Sequence, residues 1–155
     1  MTVAPTMSRV NRLDLKKLEP LDDALELMFF GLKGMTREAD EFLASHGLSR
    51  VHHRILFVIA RRDGVTVGEL LANLGVSKQA MHRPMKQLLD GGYVAVSRDP
   101  TRHRFKSLHL TELGRTTERE ASARERSVMA AAFAEAGEGA QLAWSAVMAA
   151  VARRA

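Results

Sequence analysis

Two short helical segments joined by a turn with almost no slack, between Thr66 and Asp90, constrain this chain more than any other feature. Thr66-Val67-Gly68-Glu69 is a capping box, a threonine followed three residues later by a glutamate, and it opens a segment carrying Leu70, Leu71 and Leu74. Gly75 closes that segment, Val76 follows, and Ser77 is an N-cap for a second helix reaching about Asp90. A short helix, a glycine turn and a capped second helix are the signature of a helix-turn-helix.

The second helix divides cleanly at 3.6 residues per turn. Ala80, Met81, Pro84, Met85 and Leu88 fall on one side, and Lys78, Gln79, His82, Arg83 and Lys86 on the other, with no acid before Asp90. Ordinary solvated faces mix both signs, whereas this one carries only donors or donor-acceptors. Lysine and arginine can reach guanine O6 and N7, glutamine can pair with adenine, and Ser77 at the helix start can meet a phosphate. Pro84 lies inside the helix, removes a bond to the carbonyl of Ala80 and is expected to kink it or loosen its first turns.

Gly91-Gly92 ends the second helix. Residues 93–97 read as a strand with Val94 and Val96 on one face, and residues 105–110 as the returning strand with Leu108 and Leu110 alternating. The tip between them, Arg98-Asp99-Pro100-Thr101-Arg102-His103-Arg104, is cationic at up to four of its seven positions. Such a hairpin suits the narrow, strongly negative minor groove, and Lys106 adds a phosphate contact. The expected DNA-contacting set is therefore Ser77, Lys78, Gln79, His82, Arg83, Lys86, Arg98, Arg102, Arg104 and Lys106.

On either side lie long helical segments. From Pro20 to about Ser45, Leu21, Leu25, Met28, Leu32, Met35, Ala39 and Phe42 recur at steps of four and three, a heptad-like seam that needs a large partner surface. Gly47 stops this helix, and Ser49 can cap the next, which runs to about Arg62 through an apolar block from Ile55 to Ala60. Thr111 caps a long polar helix to about Ala134, and residues 140–152 form a last amphipathic one with Leu142, Val147 and Val151. The expected organisation is a flexible arm at 1–19, a dimerisation helix at 20–47, a winged helix-turn-helix at 48–111 and C-terminal dimerisation helices at 112–155.

The order and spacing of these segments resemble the MarR family of bacterial regulators. Leu48-Ser49, Val67-Gly68-Glu69-Leu70, Gly75-Val76-Ser77, the run from Leu88 to Val94 and Leu110-Thr111-Glu112-Leu113-Gly114 carry the resemblance over nearly the whole chain, from about Leu21 to Val151. It implies a mainly α fold with a two-stranded β wing, a homodimer built from the first and last two helices, binding to a palindromic operator as a repressor, and release by a small ligand in many members. Arg104 matches the family's minor-groove arginine. The family's wing aspartate is replaced here by Arg102, and Asp99 is the nearest acid that could take its place.

Other chemistry finds little support. There is no cysteine, so disulfides, thiolate metal sites and thiol nucleophiles are excluded for these residues. His46, His52 and His53 cluster near one helix boundary, but adjacent histidines point about 100 degrees apart on a helix, and no metal or other cofactor is expected. No phosphate loop, nucleophile elbow or paired carboxylates suggest an enzyme. A net charge of +5 favours an anionic partner, and the absence of an 18-residue apolar run or a signal-peptide core leaves double-stranded DNA rather than membrane, with the cytoplasm as the expected compartment. Met28, Phe29, Leu32, His52 and Arg54 could line a pocket for a small-molecule effector, or belong to a plain dimer core. The alternative function is a winged-helix module that binds a protein and no specific DNA.

Overall fold

A computed structural model describes residues 16–98 and 105–155; residues 1–15 and 99–104, with the expected contacts Arg102 and Arg104 and most of the N-terminal arm, lie outside it. The chain divides into two compact units, 1–34 and 35–155. The described elements are α1 (Asp22–Ser45), α2 (Arg50–Arg61), β1 (Val65–Thr66), α3 (Val67–Leu74), α4 (Lys78–Asp90), β2 (Val94–Arg98), β3 (Lys106–Leu110), α5 (Glu112–Ala136) and α6 (Ala140–Ala152).

In the first unit α1 begins at Asp22, two residues later than the sequence pattern suggests. The Asp22 carboxylate accepts the backbone N–H groups of Leu18 at 2.7 Å and Glu19 at 3.0 Å. Those bonds to the charged form hold the Asp22 carboxyl below its ordinary range. Lys17 pairs with Asp23 at 2.5 Å and also with Glu26. Leu21, Leu25, Met28 and Phe29 of this unit are exposed.

The second unit is organised around α2. Its Ile55, Leu56 and Ile59 are fully or almost fully buried, in a core with Leu43, Val65, Leu70, Met81, Met85, Leu88, Val94, Leu108 and Leu110. The capping box at Thr66 forms as its sequence implies: Glu69 N–H donates to Thr66 Oγ1 at 3.2 Å, and Thr66 N–H to the Glu69 carboxylate at 2.9 Å. Gly75 takes the left-handed conformation, φ 62°, in which a side chain would be strained, and so turns α3 sharply into α4.

The sheet holds three antiparallel strands in the order β1-β3-β2. β2 and β3 form the expected hairpin, with Val94 opposite Leu110 and Arg98 opposite Lys106. The expectation of two strands omits β1, whose Val65 and Thr66 pair with Leu108 and Ser107. A two-residue strand has no period of its own, and its partner lies some forty residues further along the chain. Val94 is buried but Val96, on the same face, is 42% exposed, because the core ends before the hairpin does.

The long α5 crosses α2 through a polar seam. Buried His53 places Nε2 3.1 Å from Ser122 Oγ and Nδ1 3.5 Å from Glu125, while the Ser122 hydroxyl donates to Glu118 at 2.6 Å. At the other end of α2, Arg50 reaches Thr36 and pairs with Asp40 on the C-terminal half of α1, and that carboxylate raises the guanidinium's affinity for its proton. The buried His53, Ser122 and Glu118 thus meet partners in this seam, as burial demands.

Candidate nucleic-acid interface

Helix α4 starts at the N-cap Ser77, whose hydroxyl accepts Ala80 N–H at 3.1 Å. Met81, Met85 and Leu88 turn into the core. Ala80, assigned to the apolar side by the helical wheel, is exposed: it sits in the first turn, ahead of the point where α4 reaches the core. Lys78, Gln79, His82, Arg83 and Lys86 are all exposed, so the acid-free face exists as a surface.

Charge pairing separates this surface from much of the rest. Arg37, Arg50, Arg61, Arg62, Arg115 and Arg124 each lie within 4 Å of an acid. Among the described residues Lys78 and Arg83 meet none, and on α4 only Lys86 is engaged, by Asp90 at 2.5 Å. The wing repeats the pattern. Arg98 and Lys106 stand directly opposite each other in the ladder, exposed, with no acid against either among the described residues. Like charges in that register repel, and an anion lying over the hairpin would relieve the repulsion.

Two devices fix the wing. His109 on β3 lies 2.9 Å from Asp63 through Nδ1 and 2.8 Å from Ser97 Oγ through Nε2, tying both strands to the turn after α2. Behind them, the Thr111 hydroxyl donates to Gly92 C=O at 2.6 Å, accepts Gly114 N–H at 3.0 Å and so clamps the wing exit to the end of α4.

Pro84 does not interrupt α4, which runs unbroken from Lys78 to Asp90. The carbonyl that loses its donor belongs to exposed Ala80, where water can supply one. Pro84 instead lines a mostly apolar cavity of about 210 Å³ with Val51, Arg54, Leu74, Val76, Ala80 and Met81. Of the five residues considered for an effector, Arg54 borders this cavity and the others do not. His52 is buried, with both ring nitrogens engaged by Ser49 and Gln87, and Met28, Phe29 and Leu32 are exposed residues of the first unit. The partners of His52 and His53 escape a sequence reading, since Gln87 and Ser122 lie 35 and 69 residues further on. Among the described residues no group of three potential ligands could hold a metal, and no helix is long and apolar enough to cross a membrane.

The chain carries a three-stranded winged helix-turn-helix between long helices, and it belongs to the MarR family of transcriptional regulators. The MarR family model matches residues 46–104. The HTH-type transcriptional regulator PetP of Rhodobacter capsulatus is 40% identical over 119 residues, covering 77% of this chain and 72% of that protein. Among solved structures, a MarR protein from Peptoclostridium difficile superposes with a TM-score of 0.75 at 17% identity, over 92% of this chain and 94% of the other. A MepR variant of S. aureus bound to an oligodeoxyribonucleotide does so with a TM-score of 0.59 at 14% identity, over 84% and 96%.

Proposed function

We propose that this chain regulates transcription by binding double-stranded DNA as a homodimer, the α4 face entering the major groove and the wing the adjacent minor groove. The observation that carries the reading is the coincidence of two acid-free cationic surfaces, Lys78 and Arg83 on α4 and Arg98 and Lys106 on the wing, on the two elements that a winged helix presents to a duplex. Gln79 and His82 add donors that read base edges, Ser77 faces a phosphate at the helix start, Lys86 exchanges Asp90 for a phosphate, and Arg102 and Arg104 extend the wing's charge. A two-fold dimer requires a palindromic operator with half-sites about one helical turn, roughly 34 Å, apart. Occupying a promoter in this way excludes polymerase, so repression is the expected outcome.

Release by a small ligand is part of the same reading. It is supported by Arg54, which has no ion pair among the described residues and borders the apolar cavity beside α4, an arrangement suited to a compact carboxylate.

The test is binding of the protein to duplex from its own upstream region, or from random-sequence selection, at several salt concentrations. The expected result is an affinity that falls steeply with salt. Arg83→Ala should weaken specific binding by about tenfold or more and relax preference at one base position. Arg98→Ala should weaken all sequences alike and reduce the salt slope by about one. Salt-independent or absent duplex binding would favour a protein-binding module instead.

A further inference from the structure

His52 is 6% exposed on α2, and its ring bridges two elements. The Ser49 backbone N–H donates to Nδ1 at 3.0 Å, and the Ser49 hydroxyl lies 3.0 Å from the same nitrogen. A backbone amide only donates, so Nδ1 must carry a lone pair and the ring proton must sit on Nε2. Nε2 is 3.0 Å from Gln87 Oε1 on α4, so the ring donates to the recognition helix. His52 therefore occupies the third position of the capping box of α2, where glutamate or glutamine is usual, and uses its second nitrogen to hold α4.

We propose that His52 is a positioning residue for DNA recognition: held as the neutral Nε2–H tautomer by Ser49, it fixes α4 through Gln87, and α4 is correctly seated only while the ring is neutral. The proposal rests on the DNA-binding reading above. Protonation would set an Nδ1–H donor against the Ser49 N–H donor and bury a cation with no carboxylate beside it among the described residues. The ring would then have to leave its site for solvent, and Gln87 would lose its donor.

The neighbouring charges are engaged elsewhere. On α2, Arg50 pairs with Asp40, and His53 faces Ser122 and Glu125 of α5. On α4, Lys86 pairs with Asp90, and Arg83 is exposed. From α3, α5 and β3 no charged group meets the His52 ring among the described residues.

The experiment uses the full chain labelled with ¹⁵N, with His52→Gln and Gln87→Leu beside it. Glutamine at the third position retains the capping bond and does not titrate, and Gln87 is outside the DNA-contacting set. Imidazole nitrogen shifts should report the Nε2–H tautomer in the unmodified protein at high pH. As the pH is lowered through the protonation of the ring, followed by its own nitrogen shifts, backbone amides of α4 should exchange about tenfold faster once intrinsic rates are divided out. That acceleration should follow the His52 titration, be missing in His52→Gln, and be uncoupled from the ring's titration in Gln87→Leu. An Nδ1–H tautomer, or the same α4 response to pH in His52→Gln as in the unmodified chain, would overturn the proposal. A separate arm measures affinity for a duplex obtained by random-sequence selection, at high pH. Gln87→Leu should bind severalfold more weakly. Coupled exchange with no duplex binding by any variant would instead overturn the DNA reading and leave the tie between His52 and α4 standing.

Discussion

Gly114 shows how one residue can carry a family motif for a reason invisible in the motif itself. A Cβ at this position would lie 2.0 Å from the Tyr93 carbonyl oxygen, a backbone atom that cannot step aside. Gly114→Ala should therefore push α5 away from the end of α4 and lower stability by about 2 kcal/mol or more, a shift of several degrees in thermal denaturation. Gly68 supplies the contrast. It is helical, exposed, and has open space where a Cβ would go. Gly68→Ala should raise stability by about 0.5–1 kcal/mol by restricting the unfolded chain. The sequence marks both glycines within recognisable motifs but cannot distinguish them. The difference lies in the placement of Tyr93, twenty-one residues before Gly114 and reached only through the fold.

At the level of elements, the helices and hairpin are largely legible because each has its own period and punctuation. Ser77, Thr66 and Thr111 act as N-caps where the sequence places them, and Gly75 turns the chain between α3 and α4. What stays hidden depends on distant partners: the strand β1, the ring contacts of His52 and His53, and the exposure of Ala80. Pro84 belongs to the same category. Local rules forbid an amide donor there, yet α4 continues through it, with Ala80 exposed and the ring packed at the cavity beside α2. Pro84→Ala should return an amide donor to Ala80 and stabilise α4, by less than the roughly 3 kcal/mol cost of an interior proline because water can reach exposed Ala80. A gain of about 1 kcal/mol in chemical denaturation is expected. A loss would mean that Pro84 contributes more by filling the cavity wall than it costs in the helix.

Across the whole molecule, the apolar surface left open is the clearest unmet requirement. No residue of α6 is buried, and Leu142, Trp144, Val147 and Val151 are all about half exposed or more. In the first unit Leu21, Leu25, Met28 and Phe29 are likewise uncovered. Single exposed leucines are unremarkable, but repeated apolar faces on terminal helices are what the proposed homodimer would have to cover. A second copy of the chain would cover them and would also place two α4 faces on one duplex. Sedimentation should accordingly report a dimer, and the double substitution Leu142→Glu, Val147→Glu should shift it toward monomer while leaving helical content intact, since neither side chain belongs to the core. DNA binding should fail with it. Joining two half-site contacts makes the second effectively intramolecular, so separating the subunits should cost about a hundredfold or more in duplex affinity even though every groove-facing residue is unchanged. If the substituted protein became monomeric and kept its full affinity, one winged helix would suffice for recognition. The palindromic reading would then fail, while the contacts assigned to α4 and the wing would remain.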